Sequence, residues 1–174
     1  MHVPSDPVRL AADSITTTRL RLDPLTVADA EPMAAVYADP RMFEFTGGEP
    51  PTRESLQRRY EVLVAGRSPD GTESWLNWIV RTLDPPQVVG TMQATVDVSH
   101  RAWVAWEIGT AWQGRGFAGE AAPAIVAWLR QRGITSIEAN VHPDHAASQA
   151  IARRAGLELT DRVDDGEQVW AWQG

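Results

Sequence analysis

Apolar and polar residues alternate along Thr18-Arg19-Leu20-Arg21-Leu22, which predicts a strand. Thr26-Val27-Ala28-Asp29 then reads as a capping-box-like helix start, the Thr26 hydroxyl and the Asp29 carboxylate serving free N–H groups of the first turn. The helix predicted from there to about Ala38 carries Ala30, Met33, Ala34 and Tyr37 on one face, with one donor lost at Pro32. Thr52 opens a second helix, on which Leu56, Tyr60, Leu63 and Val64 recur at helical spacing before Gly66 stops it. Residues 67–73 form a turn-rich loop. Three strands follow, Trp75–Thr82, Val88–Val98 and Arg101–Ile108. Pro85-Pro86 breaks the first from the second, and Ser99-His100 turns the second into the third, giving an antiparallel meander.

After Gly109–Gly116 the pattern becomes helical. Phe117, Ala121, Ala124, Ile125, Trp128 and Leu129 share a face, Pro123 sits within the run as a potential kink, and Gly133 ends it. Ile134–Val141 reads as a strand reached through a helix, which implies a crossover and parallel pairing. A short helix over Ala146–Ala155, ended by Gly156, leads to a last β pair, Leu157–Val163 and Gln168–Trp172. The expected fold is one α/β domain, a mixed, mostly antiparallel twisted sheet with one parallel crossover and helices on both faces, over residues 18–174. Residues 1–17, with two prolines and little apolar pattern, read as a loosely attached leader.

The chain has 174 residues, enough for one domain with a real core. No stretch reaches the roughly 18 apolar residues of a membrane span, and the N-terminus lacks a signal-peptide core, so the expected location is cytoplasmic, away from membranes. Cysteine is absent, which excludes disulfides, thiolate catalysis and Cys-ligated zinc. All 16 basic residues are arginine, which excludes Schiff-base chemistry. A net charge of −7 disfavours nonspecific nucleic-acid binding. His142 and His145 stand three apart with no other ligand pattern, so no metal is expected. Eight tryptophans are many for this length. Trp75 and Trp78, like Trp103 and Trp106, are three apart and face opposite sides of a regular strand; they divide between core, an acceptor pocket and a homodimer surface.

The chemistry concentrates at Ile108-Gly109-Thr110-Ala111-Trp112-Gln113-Gly114-Arg115-Gly116-Phe117-Ala118-Gly119. A strand ends, a glycine-rich turn follows and a helix begins. The first N–H groups of a helix have no intrahelical partner, and glycines let an anion approach them. Arg115 adds a positive charge. A Walker turn needs a lysine, which the chain lacks. The string Gly114-Arg115-Gly116-Phe117-Ala118-Gly119 spells a dinucleotide fingerprint, but it follows a meander rather than the first strand of a βαβ unit.

The same segment resembles motif A of the GNAT superfamily of acyl-CoA-dependent N-acyltransferases, Gln/Arg-x-x-Gly-x-Gly/Ala, through Gln113, Gly116 and Ala118, with Ile108 as the apolar strand residue five positions earlier. Thr18–Leu22, Val89-Gly90-Thr91, and Val141-His142-Pro143-Asp144-His145-Ala146-Ala147-Ser148 with Gly156-Leu157 resemble segments of the RimJ/RimL-type branch, and the likeness covers about residues 18–173. It implies that acetyl-CoA is the co-substrate, that its arm runs along Trp106–Thr110 on backbone groups of Ile108 and Thr110, that the N–H groups of Gly114, Arg115, Gly116, Ala118 and Gly119 hold its pyrophosphate, and that Gln113 and Phe117 belong to the same coenzyme-binding turn. His145 replaces the usual Asn beside the coenzyme arm. Ala152 replaces the Tyr that serves many members as general acid, a role assigned in RimL-like members to a serine at the position of Ser148. Amide formation also needs a base for the ammonium, for which Glu107 and Glu138 are the candidates, Asn140 taking the strand position where some members carry a Glu. Phe43-Glu44-Phe45-Thr46 falls on the acceptor side of the family's fold. The implied activity is acetyl transfer to a primary amine of a protein N-terminus or a small molecule; a non-catalytic acyl-CoA-binding module and a Rossmann-type nucleotide binder are the rival readings.

Overall fold

The computed structural model describes residues 9–174. Eight strands form one sheet: β1 (Ile15–Thr16), β2 (Leu20–Pro24), β3 (Glu73–Leu83), β4 (Pro86–Asp97), β5 (Arg101–Ile108), β6 (Ser136–Val141), β7 (Glu158–Asp164) and β8 (Glu167–Gln173). Their spatial order is β1-β2-β3-β4-β5-β6-β8-β7. Only β5 and β6 pair in parallel; every other neighbour is antiparallel. The helices are α1 (Ala30–Val36), α2 (Arg53–Leu63), α3 (Phe117–Gln131) and α4 (Ala146–Arg154). The meander, the crossover and the final β pair stand as the periodicity predicts.

Two buried clusters lie on opposite faces of the sheet. The larger joins α3 and α4 to the sheet through Leu20, Trp78, Met92, Ile125, Leu129 and Ile137. The smaller joins α1 and α2 through Met33, Tyr37, Leu56, Tyr60 and Ile79. Trp78 is fully buried and meets Trp128 edge to face at 5.4 Å, whereas Trp75 on the other side of the strand is half-buried and donates to Glu73 at 2.9 Å.

Three local expectations are corrected. Residues 9–17 are attached to the domain: Ile15–Thr16 pairs with β2, the Trp78 indole donates to the Asp13 carbonyl at 2.8 Å, and the Leu10 N–H donates to Ser74. The apolar residues Leu10, Ala12 and Ile15, too sparse to show a period, supply that contact. Residues 1–8 lie outside the described residues. The first helix begins with a 3-10 turn at Val27–Asp29 and ends at Val36, two residues short, with Pro32 in its first turn, where a missing N–H costs nothing. α3 continues through Pro123 to Gln131.

Gly90 fixes how closely β4 approaches β5. A Cβ there would lie 2.0 Å from the Glu107 carbonyl oxygen and 2.9 Å from the Ile108 side chain. Gly90→Ala is expected to lower stability by about 1–3 kcal/mol, the usual cost of overpacking, in urea unfolding monitored by tryptophan fluorescence. An unchanged midpoint would contradict this account of the β4–β5 contact.

Candidate active site

The parallel pairing of β5 with β6 covers only Arg101–Trp103 against Ser136–Glu138. β5 continues to Ile108 against β4 alone, so its β6-facing edge from Val104 onward has no strand partner. The two strands diverge there, and a cleft of about 880 Å³ opens in the fork. Glu107, Ile108, Thr110, Gln113, Gly114, Gly116, Phe117, Ala118, Gly119, His145 and Ser148 all line it. Arg115 and Glu138 do not.

At one end lies the turn before α3. Gly114 and Gly116 have φ of 76° and 80°, a region costly for other residues. Among the described residues none of the N–H groups from Gly114 to Gly119 has an acceptor, and the first helical bond runs from Glu120 to the Gly116 carbonyl at 3.1 Å. Six consecutive free donors at a helix N-terminus form an anion cradle. The Gln113 side chain points away from it and donates to the Ile108 carbonyl at 2.8 Å, tying the turn to the end of β5.

Two arginines that carried no motif complete this end. Arg19 donates to the Arg115 carbonyl at 2.9 Å, lies over the Phe117 ring, and bonds Glu120 through both its backbone N–H and its guanidinium at 2.8 and 2.7 Å. Glu120 also accepts from the Thr17 hydroxyl at 2.6 Å. The N-terminal segment thereby clamps the first turn of α3. Arg154, in the last turn of α4, lines the cleft beside Gly119 and has no carboxylate partner among the described residues. It takes the place expected of Arg115 as the cation next to the cradle. Only the packing of α4 against α3, not the local sequence, reveals it.

The middle of the cleft holds Ser148, in the first turn of α4. Its Oγ accepts the Trp106 indole N–H at 3.3 Å. Indole only donates, so the serine's own hydrogen remains available. His145 caps α4, its Nδ1 accepting from the Ser148 N–H at 3.4 Å, and its ring stacks on Phe45 at 4.2 Å. The residue expected beside the coenzyme arm thus ties the segment after α1 to α4. Burial, and then the charge of His142, hold its imidazole below the ordinary value.

The two carboxylates differ. Glu107 is exposed in the cleft and enters no ion pair among the described residues. Glu138 is buried, and the same carboxylate oxygen lies 2.7 Å from Arg162 and 3.9 Å from Arg101. A carboxylate so engaged ties strands together, and it does not line the cleft. Asn140 is likewise engaged, donating to Asp164 at 2.9 Å. Periodicity places all three on strands but says nothing of the β7 partners that occupy two of them.

A forked sheet with a donor cradle below the fork is the setting in which comparison with known proteins is informative. Residues 19–158 match the acetyltransferase (GNAT) domain. The chain belongs to the GNAT family. It is therefore an acyl-CoA-dependent acetyltransferase. An uncharacterized N-acetyltransferase, p20 of Bacillus licheniformis, is 25% identical over 160 residues, covering 90% of this chain and 89% of p20. The fold is shared with RimL, a ribosomal L7/L12 α-N-protein acetyltransferase solved with coenzyme A (TM-score 0.77, 15% identity, 92% of this chain and 98% of that one). It is also shared with the aminoglycoside acetyltransferase AAC(6')-Ib solved with paromomycin and acetyl-CoA (TM-score 0.73, 19% identity, 89% and 93%).

Two outcomes follow. Arg154→Ala is expected to weaken acetyl-CoA about tenfold, as loss of one charge-assisted contact does, and to flatten the salt dependence of binding in titration calorimetry; Arg115→Ala changes both less. The fold also favours neutral His145. A group whose folded pKa is lowered contributes stability in full above its unfolded value, near pH 6.5, and loses it as the pH falls through the folded value. The wild type should therefore lose melting temperature faster than His145→Asn between about pH 7 and about pH 5, since Asn caps the helix without titrating.

Proposed function

We propose that this GNAT-family enzyme moves the acetyl group of acetyl-CoA to a primary amine by direct attack, and that the amine carries further positive charge. One observation supports the proposal most: a single cleft runs from the anion cradle past Ser148 to Glu107. The cradle of Gly114–Gly119 suits a pyrophosphate, and the unpaired edge of β5 suits an amide-bearing arm. The remaining chemistry falls to side chains. Glu107, on the α1/α2 side of the fork, takes a proton from the incoming ammonium. Ser148, on the α4 side, donates its free hydrogen to the departing sulfur, and the N-terminus of α4 favours the negative charge developing there.

Charge supports the character of the acceptor. Glu44, Glu107 and Glu167 line the cleft, and none has an ion-pair partner among the described residues. Arg41, which lines it too, is held by Asp39 through 2.6–3.1 Å contacts. Such a wall attracts a polycation and repels an acidic peptide. Trp103 and Phe45 add flat surfaces.

The test is thermal stabilisation by acetyl-CoA against NAD, then free-thiol release with paromomycin, spermidine and a neutral serine-initiated tetrapeptide. Stabilisation by acetyl-CoA and turnover of the two polyamines ahead of the peptide is expected. Stabilisation without any turnover would point to a binding module, and turnover of the peptide alone would refute the cationic acceptor. Glu107→Gln and Ser148→Ala are each expected to lower kcat by about 100-fold, the usual scale of one acid or base, with acetyl-CoA affinity nearly unchanged. Glu138→Gln should lower the melting temperature while leaving kcat per folded enzyme close to wild type.

A further inference from the structure

Thr91 and Glu107 are directly opposed on β4 and β5, so their side chains share the α1/α2 face of the sheet. From above, the Tyr37 hydroxyl, at the C-terminal end of α1, meets the Thr91 hydroxyl at 3.2 Å. Tyr37 is 7% exposed, whereas the carboxylate it overlies opens into the cleft. A second phenol, Tyr60 of α2, is 3% exposed, and its hydroxyl has no partner among the described residues. The mechanism uses none of these three hydroxyls.

We infer that Tyr37, with Thr91, is a positioning residue for Glu107: a buried hydroxyl pair that hydrogen-bonds the carboxylate and fixes its direction into the cleft, where it receives the ammonium proton. The inference rests on the reading of Glu107 as base. A free carboxylate on an exposed strand position swings among rotamers, and an anchor on its sheltered side limits that motion. Threonine and tyrosine hydroxyls each accept and donate one bond, so either order of the pair leaves one hydrogen for the carboxylate as terminal acceptor. Burial, then the charge of Glu107, pushes the Tyr37 phenol well above its ordinary value, so it stays protonated and able to donate. Burial likewise pushes Tyr60 up to about 12, and the charges of Asp29 and Glu107 add to that rise. The other charged or titratable groups lining the cleft are Glu44, Glu167, Arg154, the Asp39-bound Arg41, His142 and His145.

The test compares wild type with Tyr37→Phe, Glu107→Gln and the double variant. Fold is checked by acetyl-CoA-induced thermal shift, which Tyr37→Phe should leave unchanged. The first readout needs no amine: a carboxyl-carbon NMR titration, with the Glu107 signal assigned by its loss in Glu107→Gln. Removing a hydrogen bond to the charged form raises a carboxylate pKa, so Tyr37→Phe should move Glu107 upward by about half a unit or more. An unmoved titration overturns the inference. The second readout is kcat against pH with whichever amine of the panel turns over. Tyr37→Phe should lower kcat about tenfold, equivalent to one pKa unit, shift its acid limb to higher pH and leave the KM for acetyl-CoA within about twofold. The double variant should be no slower than Glu107→Gln, because an anchor has no effect once the carboxylate is gone. Multiplying defects would overturn the inference while sparing Glu107. A Glu107→Gln enzyme with wild-type kcat would overturn the base reading itself.

Discussion

The site depends on one interrupted pairing. β5 and β6 run in parallel for three residues and then part. At the point of parting sits Glu138, buried on β6, with Arg162 of β7 and Arg101 of β5 on its carboxylate. The ion pair joins three strands at the crotch of the fork, where a ladder can no longer do so. Everything above it follows from the separation. One edge of β5 is left with free backbone groups, the cleft penetrates from one face of the sheet to the other, and α4 from one face and the segment after α1 from the other line the same volume. α4 brings Ser148 from one side; α1 and the segment after it bring Tyr37 and Phe45 from the other. A continuous β5–β6 ladder would close that volume.

Charge is distributed to match. The chain carries −7 overall, yet the cradle end combines free N–H groups with Arg154 and Arg19, and Glu44, Glu107 and Glu167 line the same cleft. On the proposed function, an anionic donor and a cationic acceptor are drawn to different parts of one cleft, which orders them before reaction. Glu120 runs against such a scheme, since a carboxylate near the cradle competes with an anion. Its oxygens are already committed to Thr17 and Arg19. It therefore fastens the turn and leaves the free N–H groups of the cradle unoccupied.

Most of the fold was legible because its elements are periodic. The meander, the crossover and the turn before α3 each announce themselves through alternation, helical spacing or glycine. The cradle was legible for the same reason, being contiguous in sequence. Arg19, Arg154 and Tyr37 were not, because each acts across a tertiary contact between residues far apart in the chain, Arg19 on Arg115, Tyr37 on Thr91 and Arg154 on Gly119, and no local pattern encodes that. Glu107 and Glu138 looked alike as strand carboxylates. What separates them is the presence of Arg162 on β7, reached only through the β6–β8–β7 order. The three apolar residues Leu10, Ala12 and Ile15 are too few to show a period, although they suffice to pack residues 9–17 against the domain.

The loss of the family's tyrosine at position 152 has a packing reason. Ala152 is fully buried in the cluster beneath α4, beside Leu157 and Trp170, so a phenol there has no room and no view of the cleft. Ser148 lies four residues earlier, on the same face of the helix and one turn nearer its N-terminus. In the proposed mechanism that turn brings the proton source closer to the positive end of the helix, where a leaving thiolate is best stabilised. It also places the hydroxyl against Trp106, whose indole N–H orients the oxygen and leaves the hydrogen free. His145, accepting from the Ser148 N–H, fixes the same turn from outside. In the proposed mechanism Ser148, held between His145 at the N-cap of α4 and Trp106 of β5, takes the acid's part that a tyrosine takes one turn later in other members.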